Sequence, residues 1–391
     1  AARGAELAPV ARDQAQLAEC LQACSRRRTP VTVRAAAHSS GGQTLTDDGA
    51  VIDLRWLKRI VADAPDEQRI RVERKSTSGT PSTVRASGRR PLVLTDNWRS
   101  TVGGTLAVGG FGDATHRDGL QIAGVRELTV MTMDGTRHRA KPGDDLFDWS
   151  LAGRGQLGVI TEVVLETVTR SYDLHARVVK WPTLEEFITD ARRAVAEGRF
   201  DWLRARVMWS PGCPVGSAAG HMGEPREREF VGLVGRLGAS DRLDLFERSS
   251  EAPNELWAMP CPGVEIVLPA TLAGVRAIHD CQRALAAADL VRFLGRGSSI
   301  MPLSGTGVLG AFPMAPVPDG ELALMVSIRP EIPPEHIAAA LPVLRSLADR
   351  GLDAGGKVYL MGLEPTTPDW LQRQLGPERH ARLRALKAKW D

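Results

Sequence analysis

The apolar positions change period several times along this chain, and each change marks an element. Leu17, Cys20, Leu21 and Cys24 recur at three- and four-residue spacing, which predicts a helix with Asp13 as its cap and Arg26-Arg27-Arg28 at its basic C-terminus. Val31-Thr32-Val33 after Pro30, and Val51-Ile52-Asp53-Leu54, read as short β-branched strands. Helix, strand, loop and strand within the first 54 residues predict a small α/β layer. Further on, Val125 to Met133 alternates as a strand, with a hairpin turn at Asp134-Gly135. A short helix over Leu146–Leu151 and a strand over Val159–Val168 follow.

From Ser171 the texture changes. Strand-like runs (Leu174–Trp181, Trp202–Trp209, Glu229–Val234, Val264–Leu268, Leu322–Arg329) alternate with helical ones (Leu184–Ala196, Leu272–Ala288, Pro334–Arg350). This predicts an antiparallel sheet with helices on one face, and so an α+β protein. Proline and glycine clusters over Ser210–Gly223 and Ser298–Gly320 predict loops at its rim, and the periodless segment Lys75–Arg90 predicts a solvated loop. Lys357–Met361 and a last helix with Leu383, Leu386 and Trp390 on one side return the chain to its first half.

Composition narrows the classes. The 391 residues suffice for about two domains. A net charge of +3 gives no support to a nucleic-acid or anionic-membrane partner. Arginine supplies most of the basic residues, a skew that points to a GC-rich genome rather than to a function. The five cysteines (Cys20, Cys24, Cys213, Cys261, Cys281) form neither a disulfide framework nor a metal pattern. His116, His138, His175, His221, His279, His336 and His380 are scattered without i,i+4 pairs, so no metal is expected. No apolar run reaches membrane-spanning length and no secretory pattern opens the chain, so the expectation is a cytoplasmic protein without a membrane partner, although Ala1 need not be the natural start.

The chemistry concentrates in Leu94–Gly119. Gly103, Gly104, Gly109, Gly110 and Gly112 fall within ten positions, with Thr101 and Thr105 beside them. Such a run reads either as a flexible surface loop or as a backbone cradle whose N–H groups face an anion such as pyrophosphate. No Gly-Lys-Ser/Thr follows, which excludes a triphosphate P-loop. Gly153–Gly158 formally fits G-x-G-x-x-G, but a helix precedes it and a strand follows it. That is the reverse of a dinucleotide fingerprint, so these glycines predict a tight turn passing close to something bulky.

Three separated stretches together resemble a known family. VTVRAAAHSSGGQTL with VIDL, then LTDNWRSTVGGTLAVGG with DGLQIAGVRELTVMTMDG, then LAGRGQLGVIT, look like the flavin domain of the vanillyl-alcohol-oxidase/p-cresol methylhydroxylase superfamily. The motifs are most similar to those of cytokinin dehydrogenases, as is the ending KVYLMGL…PDWLQRQLGPERHARLRALKAKWD. The resemblance implies a two-domain flavin-binding fold: residues 1–172 and the returning 353–391 bind FAD, and an antiparallel-sheet domain over 173–352 takes the substrate. It implies covalent flavin attachment at His38, with Ser39, Gly42 and Gln43 beside the flavin. Thr101, Gly103, Gly104, Thr105, Gly109 and Gly110 would cradle the pyrophosphate, and Gly155, Gly158, Ile160 and Thr161 would pack around the rest. His116 is the one other histidine within plausible reach of the cofactor. A flavin would carry the redox chemistry while the protein supplies position and electrostatics.

Asp96 matches the base of cytokinin dehydrogenases: as hydride leaves a substrate carbon, a carboxylate must take the neighbouring proton. Its other reading is a turn cap. Trp98 either walls the flavin pocket or fills the core, and Glu364 and Asp369 read as helix-start residues. Glu265, where the plant enzymes carry asparagine, and Leu360 are candidate substrate contacts. The chain departs from the family at Ala35-Ala36-Ala37, where glycines are usual, and in Lys75–Arg90. It also offers no counterpart to the plant enzymes' second active-site glutamate, so a plant cytokinin is not expected as substrate. The expected function is oxidation of a small amine or alcohol by hydride transfer to FAD, in secondary metabolism, with oxygen or another acceptor taking the electrons. The alternative is a flavin-fold protein without redox activity, a cyclase, isomerase or binding module.

Overall fold

The computed structural model describes residues 6–7, 10–39, 41–73, 88–95, 100–169, 177–181, 183–198, 203–207, 230–234, 260–294, 299–305 and 311–391. Asp96, Trp98, the Ser210–Gly223 stretch and most of Lys75–Arg90 lie outside them.

The N-terminal layer forms as its periodicity dictates. Strand β1 (Glu6–Leu7) precedes helix α1 (Gln14–Arg27), whose cap Asp13 accepts from the Gln16 N–H at 2.9 Å. Then come β2 (Val31–Arg34) and β3 (Ala50–Asp53), and the three strands make a parallel sheet in the order β1-β3-β2. Leu17 and Leu21 of α1 bury against Ile52 and Leu54 on one side and Met131 and Val159 on the other.

A six-stranded antiparallel sheet follows. It comprises β4 (Ile60–Ala64), β5 (Arg69–Glu73), β6 (Arg89–Pro91), β7 (Val125–Met131), β8 (Arg137–Ala140) and β9 (Val159–Thr169), with β9 at its centre. Short helices α2 (Val102–Leu106) and α3 (Asp145–Ser150) lie among these strands in sequence. The hairpin between β7 and β8 turns at Gly135 (φ 81°), where Asp134 accepts from the Thr132 hydroxyl and the Thr136 N–H. These bonds to the charged form hold the Asp134 carboxyl down at about 2.

The second half builds the expected antiparallel sheet. Its elements are β10 (Arg177–Trp181), α4 (Leu184–Ala196), β11 (Leu203–Val207), β12 (Phe230–Val234), β13 (Val264–Pro269), α5 (Leu272–Ala287), β14 (Ser299–Ser304), β15 (Leu322–Ile328), α6 (Pro334–Asp353) and β16 (Lys357–Val358). Among the described residues the order is β10-β12-β11-β14-β15-β13-β16, every pairing antiparallel. Helices α7 (Trp370–Leu375) and α8 (Pro377–Trp390) end the chain.

Strands β13, β14 and β15 of this sheet are apolar on both faces. Val264, Ile266, Leu268, Leu324 and Val326 pack under α4, α5 and α6. The intervening Val267, Met301, Leu303, Ala323 and Met325 pack against the core of the six-stranded sheet, with α2 and α8. Helices cover one face, as the pattern predicts, and the other face is equally dry.

Three expectations are corrected. Ser299–Ser304, read as part of a loop, is the interior strand β14. Its Pro302 argues against a central strand because proline cannot donate to a ladder. The structure accommodates it because β11 pairs β14 only at Ser299 and Ile300, leaving Pro302 paired on the β15 side alone. The end of the Lys75–Arg90 segment is not solvated: Arg89 is buried in β6 with Asp63 and Thr167 as partners. Within the glycine-rich stretch, Val102–Leu106 is a turn of helix, not a run of left-handed backbone.

Helix α6 crosses the sheet closely at Gly351, where a Cβ would stand 2.1 Å from Cγ2 of fully buried Ile266. Gly351→Ala is therefore expected to destabilise the protein by about 1–3 kcal/mol through overpacking, despite alanine's better helix propensity. Denaturant unfolding of the two proteins checks this; a more stable variant would mean that the sheet yields.

Candidate functional site

A cleft of about 850 Å³ is lined by residues drawn from the first 160 positions and from the returning C-terminal segment that begins at Tyr359. His38, Ser39, Gly42 and Gln43 line it from the loop after β2, and Thr101, Gly103, Gly104 and Thr105 line it from the start of α2. Gly155, Gly158 and Ile160 come from the turn into β9, and Leu360 from the segment after β16. Stretches more than three hundred residues apart in sequence thus share one wall.

Each stretch has a local reason for its place. Thr101 caps α2 by accepting from the Gly104 N–H at 3.3 Å. That bond leaves the N–H groups of Val102 and Gly103 ahead of the first intrahelical acceptor. Two backbone bonds of 2.8 Å, Ala152 N–H to Leu106 O and Arg154 N–H to Ala107 O, staple the G-x-G-x-x-G turn to the end of α2. The turn is as tight as its glycines predict. A Cβ on Gly153 would meet Trp149 O at 2.0 Å, and one on Gly158 would meet Met131 O at 2.6 Å. In the first loop Gln43 bridges walls: Oε1 accepts from the Gly41 N–H at 3.1 Å and Nε2 donates to Gly362 O.

Other expected residues stand elsewhere. Gly109 and Gly110 take left-handed backbone (φ 111° and 74°), but their carbonyls accept from Ile122 and Gln121 N–H, and neither lines the cleft. They serve the turn onto the next segment. Thr161 alternates with Ile160 along β9, so its hydroxyl points into the sheet and donates to Thr129 O at 3.2 Å. Glu265 is 0% exposed and absent from the cleft wall; it accepts from Arg329 and, at 3.3 Å, from Ser327. A carboxylate sealed in the apolar core needs those partners. His116 is buried with Nδ1 3.0 Å from Asp113 O, outside the cleft. Asp96 lies outside the described residues. Its predecessors Leu94 and Thr95 are buried against the glycine stretch, with Leu94 O only 1.7 Å from where a Gly112 Cβ would stand.

Two residues at the cleft were not singled out from sequence. Arg154 pairs with Glu364 and lies over the Trp370 ring at 5.1 Å, and both charged groups line the cleft. Burial pulls the Arg154 pKa down, with Glu364 opposing. Glu364 is therefore not a helix-start residue, whereas Asp369 does precede α7. Tyr359 is the other, almost wholly buried on the cleft floor. Its burial, with the Glu265 charge nearby, drives the phenol pKa well above the usual range. Arg154 sits inside a glycine motif whose variable positions carry no signal of their own, and Tyr359 is one of two tyrosines in the chain.

Residues 6–141 match the family described as FAD binding domain. The chain carries an FAD-binding domain of the vanillyl-alcohol-oxidase type. It is 26% identical to an uncharacterized oxidoreductase in the fasciation locus of Rhodococcoides fascians, over 92% of this chain and 85% of that protein. It is 33% identical to cytokinin dehydrogenase 6 and 37% identical to cytokinin dehydrogenase 7 of Oryza sativa subsp. japonica, each over 49% of this chain. Those matches span 40% and 39% of the two plant proteins. The relatives it matches bear the names of an oxidoreductase and of dehydrogenases.

The cleft fits such a cofactor. Its donors are mostly backbone N–H groups and hydroxyls; the Arg154 and Lys387 cations are internally paired with Glu364 and Asp391, and the exposed Arg28 also lines it. Gly155 (φ 76°) faces space, with nothing nearer its Cβ direction than Gly158 O at 3.7 Å, whereas a Cβ on Gly104 would press Thr101 Oγ1 at 2.8 Å. Among the described residues no cluster of His, Cys, Asp and Glu could hold a metal, and no helix is long and apolar enough to cross a membrane.

Ala37 carries the family departure into geometry. It stands at φ 57°, the left-handed region that glycine occupies without strain, one residue before His38. Ala37→Gly is expected to stabilise the protein by about 1 kcal/mol, the relieved strain outweighing glycine's greater unfolded-state freedom. The midpoint of denaturant unfolding should rise. A fall would mean that the loop takes ordinary right-handed backbone in solution.

Proposed function

We propose that the chain is an FAD-dependent oxidoreductase that oxidises a small amine or alcohol by hydride transfer to the flavin, with oxygen or another acceptor reoxidising it. The observation that carries this reading is the meeting of the His38 loop, the Thr101 helix start and the Gly155 turn on one cleft. Bound flavin would supply the two-electron redox chemistry. The N–H groups of Val102 and Gly103 suit a pyrophosphate, and the Arg154–Glu364 pair with Gln43 holds the C-terminal segment against the cleft. Residues 1–172 with 353–391 would hold the cofactor and 173–352 would complete the substrate side. Leu360, at the cleft end, contributes apolar surface there.

Asp96 is assigned as the base that accepts the substrate proton, which one carboxylate next to the reacting carbon accomplishes. His38, a cleft-lining imidazole, is assigned as the point of covalent flavin attachment. The strained Ala37 favours a second reading, in which the loop no longer holds flavin productively and the fold serves non-redox chemistry. Colour separates the two: the redox enzyme purifies yellow, and a colourless protein that stays inert with added FAD is the other.

Asp96→Asn should leave flavin binding intact and slow substrate reduction of the flavin by about 10²–10⁴-fold, a positioned base's usual contribution. Rapid-mixing observation of flavin bleaching checks this, and a near-normal rate would reduce Asp96 to a turn cap.

His38→Ala should convert acid-precipitated flavin from pellet-bound to freely soluble. Release already from the unaltered protein would mean that His38 contacts the cofactor without bonding to it.

A further inference from the structure

We propose that the Tyr359 hydroxyl donates a hydrogen bond to an acceptor atom of the flavin ring system, a ring nitrogen or carbonyl oxygen, and thereby makes the bound flavin easier to reduce. The inference rests on the FAD reading above and deepens it.

Strand alternation aims the side chain. Val358 and Leu360 belong to the core beneath the helices, whereas Tyr359 belongs to the core shared with α2 and the six-stranded sheet. Its ring therefore extends from the seven-stranded sheet toward the half that carries the FAD-binding domain, and it reaches the cleft floor. Two anchors fix it there. The Tyr359 N–H donates to Glu265 O at 2.8 Å, and the ring meets Phe111 edge-on, centroids 4.7 Å apart at 78°.

The backbone N–H groups of Phe111 and Gly110 stand toward the phenol oxygen and favour its charged form. Gly110 can present its amide this way because it takes φ 74° at a place where a Cβ would stand 2.6 Å from Gln121 Cβ. An oxygen that faces such donors turns its one proton away from them, and Tyr359 is the residue by which this side of the core reaches the cleft wall. Burial and the Glu265 charge keep that proton in place, with Arg329 and the two amides opposing only in part. The group is thus a permanently neutral donor. It gives up no proton and forms no bond in the reaction.

Two-electron reduction puts electron density on the flavin's ring nitrogens and carbonyl oxygens. A fixed donor binds that form more strongly than the oxidised one, and its orientation is settled before the electrons arrive. A change of about tenfold in the reduction equilibrium corresponds to about 30 mV for a two-electron couple.

The test compares the flavin-loaded protein with its Tyr359→Phe variant by spectroelectrochemical titration. The variant should show a midpoint about 30 mV more negative, tenfold less favourable reduction, with an altered flavin absorbance envelope. A second measurement does not depend on the variant folding. The chain contains two tyrosines, Tyr172 and Tyr359, so 3-fluorotyrosine labelling gives two fluorine resonances, and Tyr172→Phe assigns them. The Tyr359 resonance should move when flavin is bound. An unmoved Tyr359 signal in flavin-loaded protein, or equal midpoints in the two proteins, overturns this inference and leaves the FAD reading standing. Failure of the unaltered protein to take up FAD at all overturns that reading, and this inference with it.

Discussion

Burial of both faces of strands β13, β14 and β15 in the seven-stranded sheet is the constraint on which the rest of the structure depends. A strand with one wet face tolerates local slippage, but here β13, β14 and β15 each have apolar partners on both sides. Shifting β13 by one residue would exchange Val264, Ile266 and Leu268 with Glu265 and Val267. Each fully buried aliphatic side chain is worth roughly 1.5–3 kcal/mol, and the slip would also drive Glu265 under the helices away from Arg329. The register is therefore stiff. Because β16 pairs with β13 through Ile266 opposite Val358, the same stiffness decides which way Tyr359 and Leu360 face at the cleft.

Electrostatics follow the same logic of dryness. Glu265 occupies an apolar face, so its charge must be met inside the protein, and Arg329 with Ser327 meets it. Losing one partner of such a pair costs about 3–5 kcal/mol, far more than the intact pair contributes. At the cleft rim the cations of Arg154 and Lys387 are spent on Glu364 and Asp391. Anion recognition in the cleft is left to the exposed Arg28 and to backbone amides, whose positions are set by glycines. A site built this way is rigid and sensitive to single Cβ atoms.

Much of this architecture was legible in the pattern of residues. Helix α1 with its Asp13 cap, the strands at Val31, Val125 and Val159, the Asp134-Gly135 hairpin and the long helices of the second half all sit where periodicity and turn chemistry place them. Local rules suffice for such elements because each has a clear apolar stripe and a stop signal. The failures are equally local in cause. Pro302 and its flanking glycines hid β14, since the gap in the β11 ladder that accommodates a proline is a property of the neighbouring strand. Two glycines hid α2, which holds because Val102 and Leu106 bury their side chains and Thr101 supplies a cap.

Taken by itself, the sequence determined where the chain could turn, which stripes it had to bury and which stretches carried unusual glycine chemistry. Periods of two and 3.6 residues and the sterics of a missing Cβ act within a few neighbours. Only the tertiary structure decided that residues near 38, 101, 155 and 360 face one cleft. It also decided that Gly109, Gly110 and Thr161 turn away, that Glu265 is sealed behind Arg329, and that Arg154 and Tyr359 reach the wall. Those outcomes depend on which face of a strand meets which layer and on partners hundreds of residues away, and no local pattern encodes the identity of a distant partner.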